Sequence, residues 1–279
     1  MSPPDPARLS LNTITTKAWT LREAIDGCAR HGIPGITVWR DRLQEMGVAA
    51  GAQALRKSGL AVTGLCRGGM FPAPDAAGRK AAAEDNLRAI DEAAAIGASC
   101  LILVAGGLPA GSKDIAGARE QVTEGLAALL PHARKAIVPL AIEPLHPMQA
   151  ADRACINTLG QALDLCDLLD PQQSGALGVA VDVYHVWWDP QLEAQIARAG
   201  KSRLLAHHLC DWLVPTTDLA FDRGMMGEGI IDLPRIRALV EGAGYAGCNE
   251  VEIFSARNWW RRDPDEVLTV MKKSYAACC

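Results

Sequence analysis

The sequence lacks several features that would place the protein in other classes. No stretch of the 279 residues approaches the roughly 20 consecutive apolar residues that a membrane-spanning helix needs. Lysine and arginine form no dense block, and 28 basic side chains face 32 acidic ones, for a net charge of −4. A surface for nucleic acid is therefore not expected. Residues 1–8 are proline-rich without an apolar core, so no signal peptide is expected.

Cysteine is present, but its pattern does not indicate disulfides. The nine cysteines are odd in number, scattered, and mostly placed inside apolar runs. Such cysteines usually behave as small buried hydrophobic side chains, and reduced thiols are typical of the cytoplasm. The sequence therefore predicts a cytoplasmic protein without a disulfide framework.

Strand-like and helix-like segments alternate along the whole chain. Short aliphatic runs predict eight strands, at residues 9–15, 36–40, 61–66, 100–105, 139–144, 178–184, 204–209 and 248–254. Helices are predicted at residues 20–30, 43–57, 79–96, 115–135, 158–169, 192–199, 233–243 and 264–275. The first of these helices begins with the capping box Thr20-Leu21-Arg22-Glu23.

This alternation predicts an α/β fold with a parallel sheet. Eight strand–helix units in about 250 residues have the size of a closed (β/α)8 TIM barrel. An open doubly wound sheet would place a glycine-rich phosphate loop after the first strand, and Thr13-Ile14-Thr15-Thr16 has no such character. No linker interrupts the pattern, so we predict a single TIM-barrel domain over residues 1–279.

Four predicted strands end in side chains that can bind a divalent metal. These side chains are Glu143, Asp182, His208 and Glu252, from the fifth to the eighth strand. In a barrel the carboxyl ends of neighbouring strands meet at one rim. Buried charges are costly unless they are compensated, and a metal ion compensates carboxylates directly. Three carboxylates and one imidazole suit Mn²⁺ first, and also Mg²⁺ or Co²⁺.

The motifs around these residues resemble those of the xylose isomerase-like barrel superfamily. The matching segments are Glu143-Pro144-Leu145, Asp182-Val183-Tyr184-His185, His208-Leu209-Cys210-Asp211, Gly244-Tyr245-Ala246-Gly247 leading to Glu252-Ile253, and the loop Gly227-Glu228-Gly229-Ile230-Ile231-Asp232. The resemblance covers nearly the whole chain. This superfamily includes ketose 3-epimerases, hydroxypyruvate isomerase and inosose dehydratase, so the motifs do not identify one substrate.

The resemblance implies roles for individual residues. One divalent metal ion would be bound by Glu143, Asp182, His208 and Glu252. The two glutamates would also exchange protons with a substrate carbon, and His185 would hydrogen-bond a substrate oxygen. Arg223 would contact the substrate from the long loop after the seventh strand.

Two neighbouring side chains compete for places in this ligand set. His207 and His208 are adjacent, and only one of them can point into the barrel. The family pattern favours His208. Glu250 lies on the same face of the strand as Glu252, and Gly247 sets the register toward Glu252.

Further residues are predicted around the substrate. Aromatic residues make up only 5% of the chain, yet seven of them are tryptophans. Trp187 and Trp212 follow metal-bearing strands and would either stack on a sugar or pack at the rim or in an oligomer contact. Arg40 and Arg67 would bind an acidic or polyhydroxylated substrate, or pair with neighbouring acids. His146 is a candidate for the pocket, with a surface loop position as the alternative.

The expected function is therefore a metal-dependent isomerase or epimerase for a sugar or related α-hydroxycarbonyl compound. A base near the carbon and an electrophile on the oxygen allow proton removal through an enediolate. The same first step can end in elimination, which leaves a lyase or dehydratase for a keto-inositol or 3-ketoglycoside as the alternative. Ketose 3-epimerases tend to carry a further glutamate where this chain has Gln149, which argues against a simple free-ketose epimerase.

Two other classes fit less well. A repair nuclease of this fold would need a histidine-rich multi-metal site and a basic groove, whereas the chain has six histidines and a net charge of −4. A non-catalytic sugar-binding barrel would have little use for four metal ligands. We expect a small carbohydrate or polyol-derived substrate, no nucleic-acid or membrane partner, and a chain compatible with a homodimer or homotetramer.

Overall fold

Eight parallel strands close into a barrel in the computed structural model, which describes residues 3–279. The barrel strands are β1 (Leu9–Asn12), β2 (Gly35–Trp39), β3 (Ala61–Gly69), β4 (Leu101–Val104), β5 (Leu140–Glu143), β6 (Leu177–Asp182), β7 (Leu204–Leu209) and β10 (Asn249–Val251). A short antiparallel pair, β8 (Asp211–Trp212) and β9 (Arg223–Gly224), lies in the segment between β7 and β10. The first and last barrel strands pair in parallel and close the ring, which confirms the predicted TIM barrel.

Helices connect the strands and cover the barrel. They are α1 (Leu21–His31), α2 (Arg40–Met46), α3 (Val48–Ser58), α4 (Ala76–Ile96), α5 (Ile115–Ala136), α6 (Leu159–Leu169), α7 (Val183–Val186), α8 (Leu192–Arg203), α9 (Leu233–Gly242) and α10 (Pro264–Cys278). The predicted capping box at the start of α1 is confirmed, because Thr20 and Glu23 bond to each other's backbone N–H groups.

Some predicted boundaries are wrong. The single helix expected over residues 43–57 is two helices, because Gly47 adopts φ 85° and ψ 128°, a conformation outside the helical region. The first strand ends at Asn12 instead of residue 15, since the Asn12 side chain accepts the Ile14 N–H and begins a turn. The strand expected over residues 248–254 is shortened to β10.

Small and polar side chains fill the centre of the barrel. A compact apolar group inside it consists of Cys66, Cys100, Ile102, Ala141, Ala180 and Ala206. Hydroxyl groups of Ser10, Thr37 and Thr63 form a hydrogen-bonded chain beside this group. The larger apolar core lies between the strands and the helices. Small side chains in the barrel leave space for the charged residues above them.

The remaining sequence-level expectations concern thiols and membranes. All nine cysteines are free. Within residues 3–279, no helix combines the length and the apolar character that crossing a membrane requires.

Candidate metal centre

Four strand ends bring the predicted ligands to one rim of the barrel. Glu143 is the last residue of β5 and Asp182 the last of β6, while His208 lies near the end of β7 and Glu252 directly follows β10. Strand register places Asp182 beside His208. One ligand atom from each of the four residues lies within 4.8 Å of the others, and all four side chains are buried. The barrel therefore assembles this set without any long loop.

Unsatisfied atoms in this group fit a bound cation. Glu143 Oε1 and His208 Nδ1 lie 2.9 Å apart, an ion-pair distance, in a geometry that makes no hydrogen bond. Buried polar atoms are nearly always hydrogen-bonded, so two that face each other without a hydrogen bond need another explanation. A divalent cation bound by both atoms would satisfy them. The residues present therefore fit the metal that the sequence predicts.

The competing residues occupy different places. His207 points away from the group and shares a 2.8 Å hydrogen bond with Asn249. Glu250 does point into the barrel, where its Oε1 accepts a 2.7 Å bond from Asn12 Nδ2 and lies 3.5 Å from His208 Nε2. A carboxylate behind a metal-binding imidazole fixes the orientation of the imidazole ring, and Glu250 lies in a position to do so for His208.

A buried arginine compensates the acidic cluster. Arg223 Nη1 lies 2.8 Å from Asp182 Oδ2 and 3.2 Å from Glu252 Oε2. Its guanidinium carbon is 4.5 Å from the ring centre of Tyr184 and 4.8 Å from that of Phe254. Apolar faces on both sides and carboxylates at the edge fix the position of this cation.

The two carboxylates beside Arg223 titrate in opposite directions. Burial alone raises the pKa of Asp182, but Arg223 and His185 outweigh it and lower the pKa to about 2. Burial raises the pKa of Glu252 to about 8 despite the same arginine. One carboxylate therefore stays ionised, whereas the other can gain or lose a proton near neutral pH.

His185 presents a hydrogen-bond donor to the same place. Its Nδ1 accepts the backbone N–H of His146 at 3.1 Å, so the proton of the neutral ring is on Nε2. Burial lowers the pKa of His185 to about 3, which keeps the ring neutral. Nε2 lies 3.0 Å from Arg223 Nη2. An acceptor oxygen in front of both N–H groups would lie within hydrogen-bond reach of each.

A pocket opens beside the ligands. Its wall includes Glu143 and Glu252 together with Arg67, Gln149, Arg153, His185 and Arg223. Three residues predicted to bind substrate, Arg67, His185 and Arg223, are therefore gathered around two of the predicted ligands. The pocket joins an outer groove, because Trp39, Cys66 and Arg67 line both.

The other predicted substrate residues lie outside the pocket wall. Arg40 lines the outer groove and forms ion pairs with Asp85 at 2.8 Å and Glu92 at 2.6 Å. The rings of His146, Trp187 and Trp212 pack against one another, with His146 and Trp187 centred 4.9 and 5.6 Å from Trp212. Contact of these residues with substrate stays a prediction.

Asp211 organises the segment that carries Arg223. Its carboxylate accepts backbone N–H bonds from Trp212, Gly227, Gly229 and Ile231. The motif that begins at His208 includes Asp211 but does not indicate this role. One side chain ties the loop back onto the end of β7.

Sequence reasoning missed two residues of the site. Asn12 ends β1 and donates to Glu250 at 2.7 Å and to Glu252 at 3.0 Å. Its position at a strand end was an available signal, but the first strand was predicted to run past it. Arg153 reaches the pocket from the loop after β5, where no periodicity indicates its direction.

Comparisons with known proteins agree with this architecture. A family model described as xylose isomerase-like TIM barrel matches residues 25–273. The crystal structure of protein SMc04130 from Sinorhizobium meliloti 1021 is 59% identical, has a TM-score of 0.95 and covers 99% of each chain. No curated protein matches the sequence.

Two more distant structures show the fold alone. The IolI protein, whose structure contains a zinc atom, is 18% identical with a TM-score of 0.81, and the match covers 96% of each chain. The 3-keto-D-glucoside 4-epimerase YcjR from E. coli is 18% identical with a TM-score of 0.74, over 96% of this chain and 97% of that one.

Proposed function

Because the chain belongs to the xylose isomerase-like TIM barrel family, we propose that it is a divalent-metal-dependent isomerase or epimerase for a sugar or a related α-hydroxycarbonyl compound. One observation carries this proposal. Glu143 Oε1 and His208 Nδ1 are buried and lie 2.9 Å apart without a hydrogen bond between them, and Glu143 lines a pocket that also contains a titratable glutamate. That arrangement suits a metal ion beside a carbon acid better than it suits packing.

The metal would be held by the four strand-end side chains, Glu143, Asp182, His208 and Glu252. Their mostly oxygen donor set favours Mn²⁺, with Mg²⁺ or Co²⁺ as alternatives. When bound, a divalent cation polarises a substrate carbonyl and stabilises negative charge on its oxygen.

Two glutamates would move the protons. Glu252 has its Oε1 held by Asn12 at 3.0 Å, and this carboxylate would accept a proton from carbon. Glu143, on the same pocket wall, would return a proton to the adjacent carbon or to the other side of the same carbon. One C–H bond breaks and another forms, so the product has the mass of the substrate.

His185 and Arg223 would orient the substrate oxygen. His185 Nε2–H and Arg223 Nη2 converge at 3.0 Å, and an acceptor oxygen there would bond to both. Arg223 also stabilises the ionised state of Asp182, which keeps that carboxylate available as a ligand. These donors act on the oxygen while the glutamates act on carbon.

The test replaces each glutamate and follows hydrogen exchange. Glu143→Gln and Glu252→Gln keep the shape of the side chain but remove its proton chemistry, so deuterium from D₂O should stop entering an α-hydroxyketone substrate in both. Glu120→Gln, an exposed change of the same kind, is the control. Persistent exchange in both active-site variants would overturn the two-glutamate mechanism.

The product separates the main proposal from its alternative. A product of unchanged mass indicates isomerisation or epimerisation, whereas loss of water or an aglycone indicates the lyase or dehydratase. The expected cytoplasmic location and the homodimer or homotetramer stay predictions, which cell fractionation and light scattering would test.

A further inference from the structure

Two guanidinium groups in the pocket lack an acidic partner. We propose that Arg67 and Arg153 bind a carboxylate of the substrate, so that the enzyme acts on an α-hydroxycarbonyl acid and not on a neutral sugar. This inference rests on the proposed function and narrows its substrate class. It also assigns a part to Arg153, which the sequence did not single out.

Neither arginine is neutralised within the part of the chain that the structure describes. Over residues 3–279, the side chains of Arg67 and Arg153 form no ion pair and donate no hydrogen bond, and the Arg153 guanidinium carbon lies 6.0 Å from the centre of the Phe221 ring. Burial lowers the pKa of Arg67, and the charge of Arg153 lowers it further. Two cations close enough to repel each other in one pocket favour an anion between them.

Two acids that share a pocket or groove wall with Arg67 are engaged with other residues. Asp85, on the wall of the outer groove, is paired with Arg40 at 2.8 Å and with Arg88 at 3.1 Å. Glu143 faces His208 at 2.9 Å and belongs to the metal-binding group. Within residues 3–279, neither arginine therefore has an acid at ion-pair distance, although Glu143 stabilises the charge of Arg67 over a longer range.

The charge balance of the site favours a monoanion. Its buried carboxylates are Glu143, Asp182, Glu250 and Glu252, and its guanidinium groups are Arg67, Arg153 and Arg223. With one divalent cation bound, this set carries a single net positive charge. A substrate carboxylate would bring the site to neutrality, whereas a phosphate dianion would leave it with a net negative charge. The charge balance therefore favours a carboxylic acid as the substrate.

Gln149 fits the same conclusion. It lies on the pocket wall one helical turn before Arg153, and its buried Oε1 has no hydrogen-bond partner. A glutamate at this position would place a second negative charge beside the proposed carboxylate. A neutral amide can instead accept a substrate hydroxyl without repelling the anion.

Three small α-hydroxyketones of matched shape provide the test. Hydroxypyruvate carries a carboxylate, dihydroxyacetone is neutral, and dihydroxyacetone phosphate carries a phosphate. Isothermal titration calorimetry would measure the binding of each to wild-type protein, with and without Mn²⁺, and to Arg67→Gln and Arg153→Gln. Arg257→Gln removes the same charge from an exposed position in the loop after β10 and is the control.

We expect hydroxypyruvate to bind at least about tenfold more tightly than dihydroxyacetone in the Mn²⁺-loaded protein, and by a smaller factor in the metal-free protein, where the same groups carry a net negative charge. Each of Arg67→Gln and Arg153→Gln should weaken hydroxypyruvate about tenfold and leave dihydroxyacetone within about twofold, while Arg257→Gln changes neither. The proposal is overturned if hydroxypyruvate and dihydroxyacetone bind with equal affinity, or if hydroxypyruvate does not bind. It is also overturned if the arginine variants lose affinity for both ketones equally. Tighter binding of the phosphate overturns the choice of carboxylate.

Failure of the proposed function would look different. If hydroxypyruvate binding depends on both arginines but Mn²⁺ does not bind and no hydrogen exchange occurs with any ketone, the anion site stands and the metal-dependent reaction fails.

Discussion

Replacing Arg223 by methionine removes the cation that compensates two buried carboxylates. The methionine fills part of the space between Tyr184 and Phe254 but leaves Asp182 and Glu252 without the partner now found at 2.8 and 3.2 Å. Removing one member of a buried ion pair typically costs about 3–5 kcal/mol, because the remaining charge stays buried. Glu252 can escape part of that cost by taking a proton, since burial already raises its pKa to about 8. Asp182, whose pKa is about 2 in wild type, loses the charge that stabilises its ionised form, so we expect a loss of about 3 kcal/mol in the metal-free protein near pH 7.

The assay is urea unfolding of metal-free Arg223→Met against wild type, followed by tryptophan fluorescence. Arg235→Met is the control, because Arg235 pairs with Glu193 at 2.8 Å on the exposed surface, and such a pair contributes about 1 kcal/mol or less. Mn²⁺ should restore part of the stability of Arg223→Met, since a cation at the ligands again compensates the acids. If Arg223→Met is no less stable than Arg235→Met, the view of Arg223 as the compensating charge is wrong.

Three further predictions follow from the site and its support. The raised pKa of Glu252 means that the folded metal-free protein holds a proton which the unfolded chain releases, so the stability of wild type relative to Glu252→Gln should fall between about pH 4.5 and 8. His185, whose pKa burial lowers to about 3, contributes a rise below about pH 6.5 in both proteins, so urea unfolding of both is compared across the range; a difference that rises with pH would contradict the assignment. Asp211→Ala leaves four backbone N–H groups without their acceptor and should cost about 3 kcal/mol, whereas Asp211→Asn should cost less. Ellman's reagent should modify Cys248 and Cys278 first in the native protein, because the other thiols are buried. Burial also raises the pKa of Cys28 to about 12, so rapid labelling of Cys28 would contradict this prediction.

The barrel and its ligands could be predicted because both follow from local patterns. Aliphatic runs of strand length alternate with helical periodicity, and parallel strands place their carboxyl ends together. Glu143, Asp182 and His208 lie at or near such ends, so topology alone brings them to one rim. The helix break at Gly47 was missed, because apolar periodicity continues through the glycine and only its backbone conformation ends the helix.

The pocket wall could be predicted only in part. Arg153 and Trp187 lie in irregular segments and Trp212 lies in the two-residue strand β8, where no periodicity determines the direction of a side chain. Arg40 comes from a strand end, as expected, but tertiary contacts with Asp85 and Glu92 turn it away from the pocket. The local sequence therefore indicates where the backbone of such a residue lies, whereas long-range ion pairs and ring contacts determine the direction of its side chain.

The most direct test of the account is anomalous diffraction from crystals soaked in Mn²⁺, measured at the manganese absorption edge. The account predicts one strong anomalous peak in contact with Glu143, Asp182, His208 and Glu252, and a loss of that peak in His208→Ala. Saturating Mn²⁺ with no peak among these four side chains, or a peak that persists in the variant with other ligands, would contradict it.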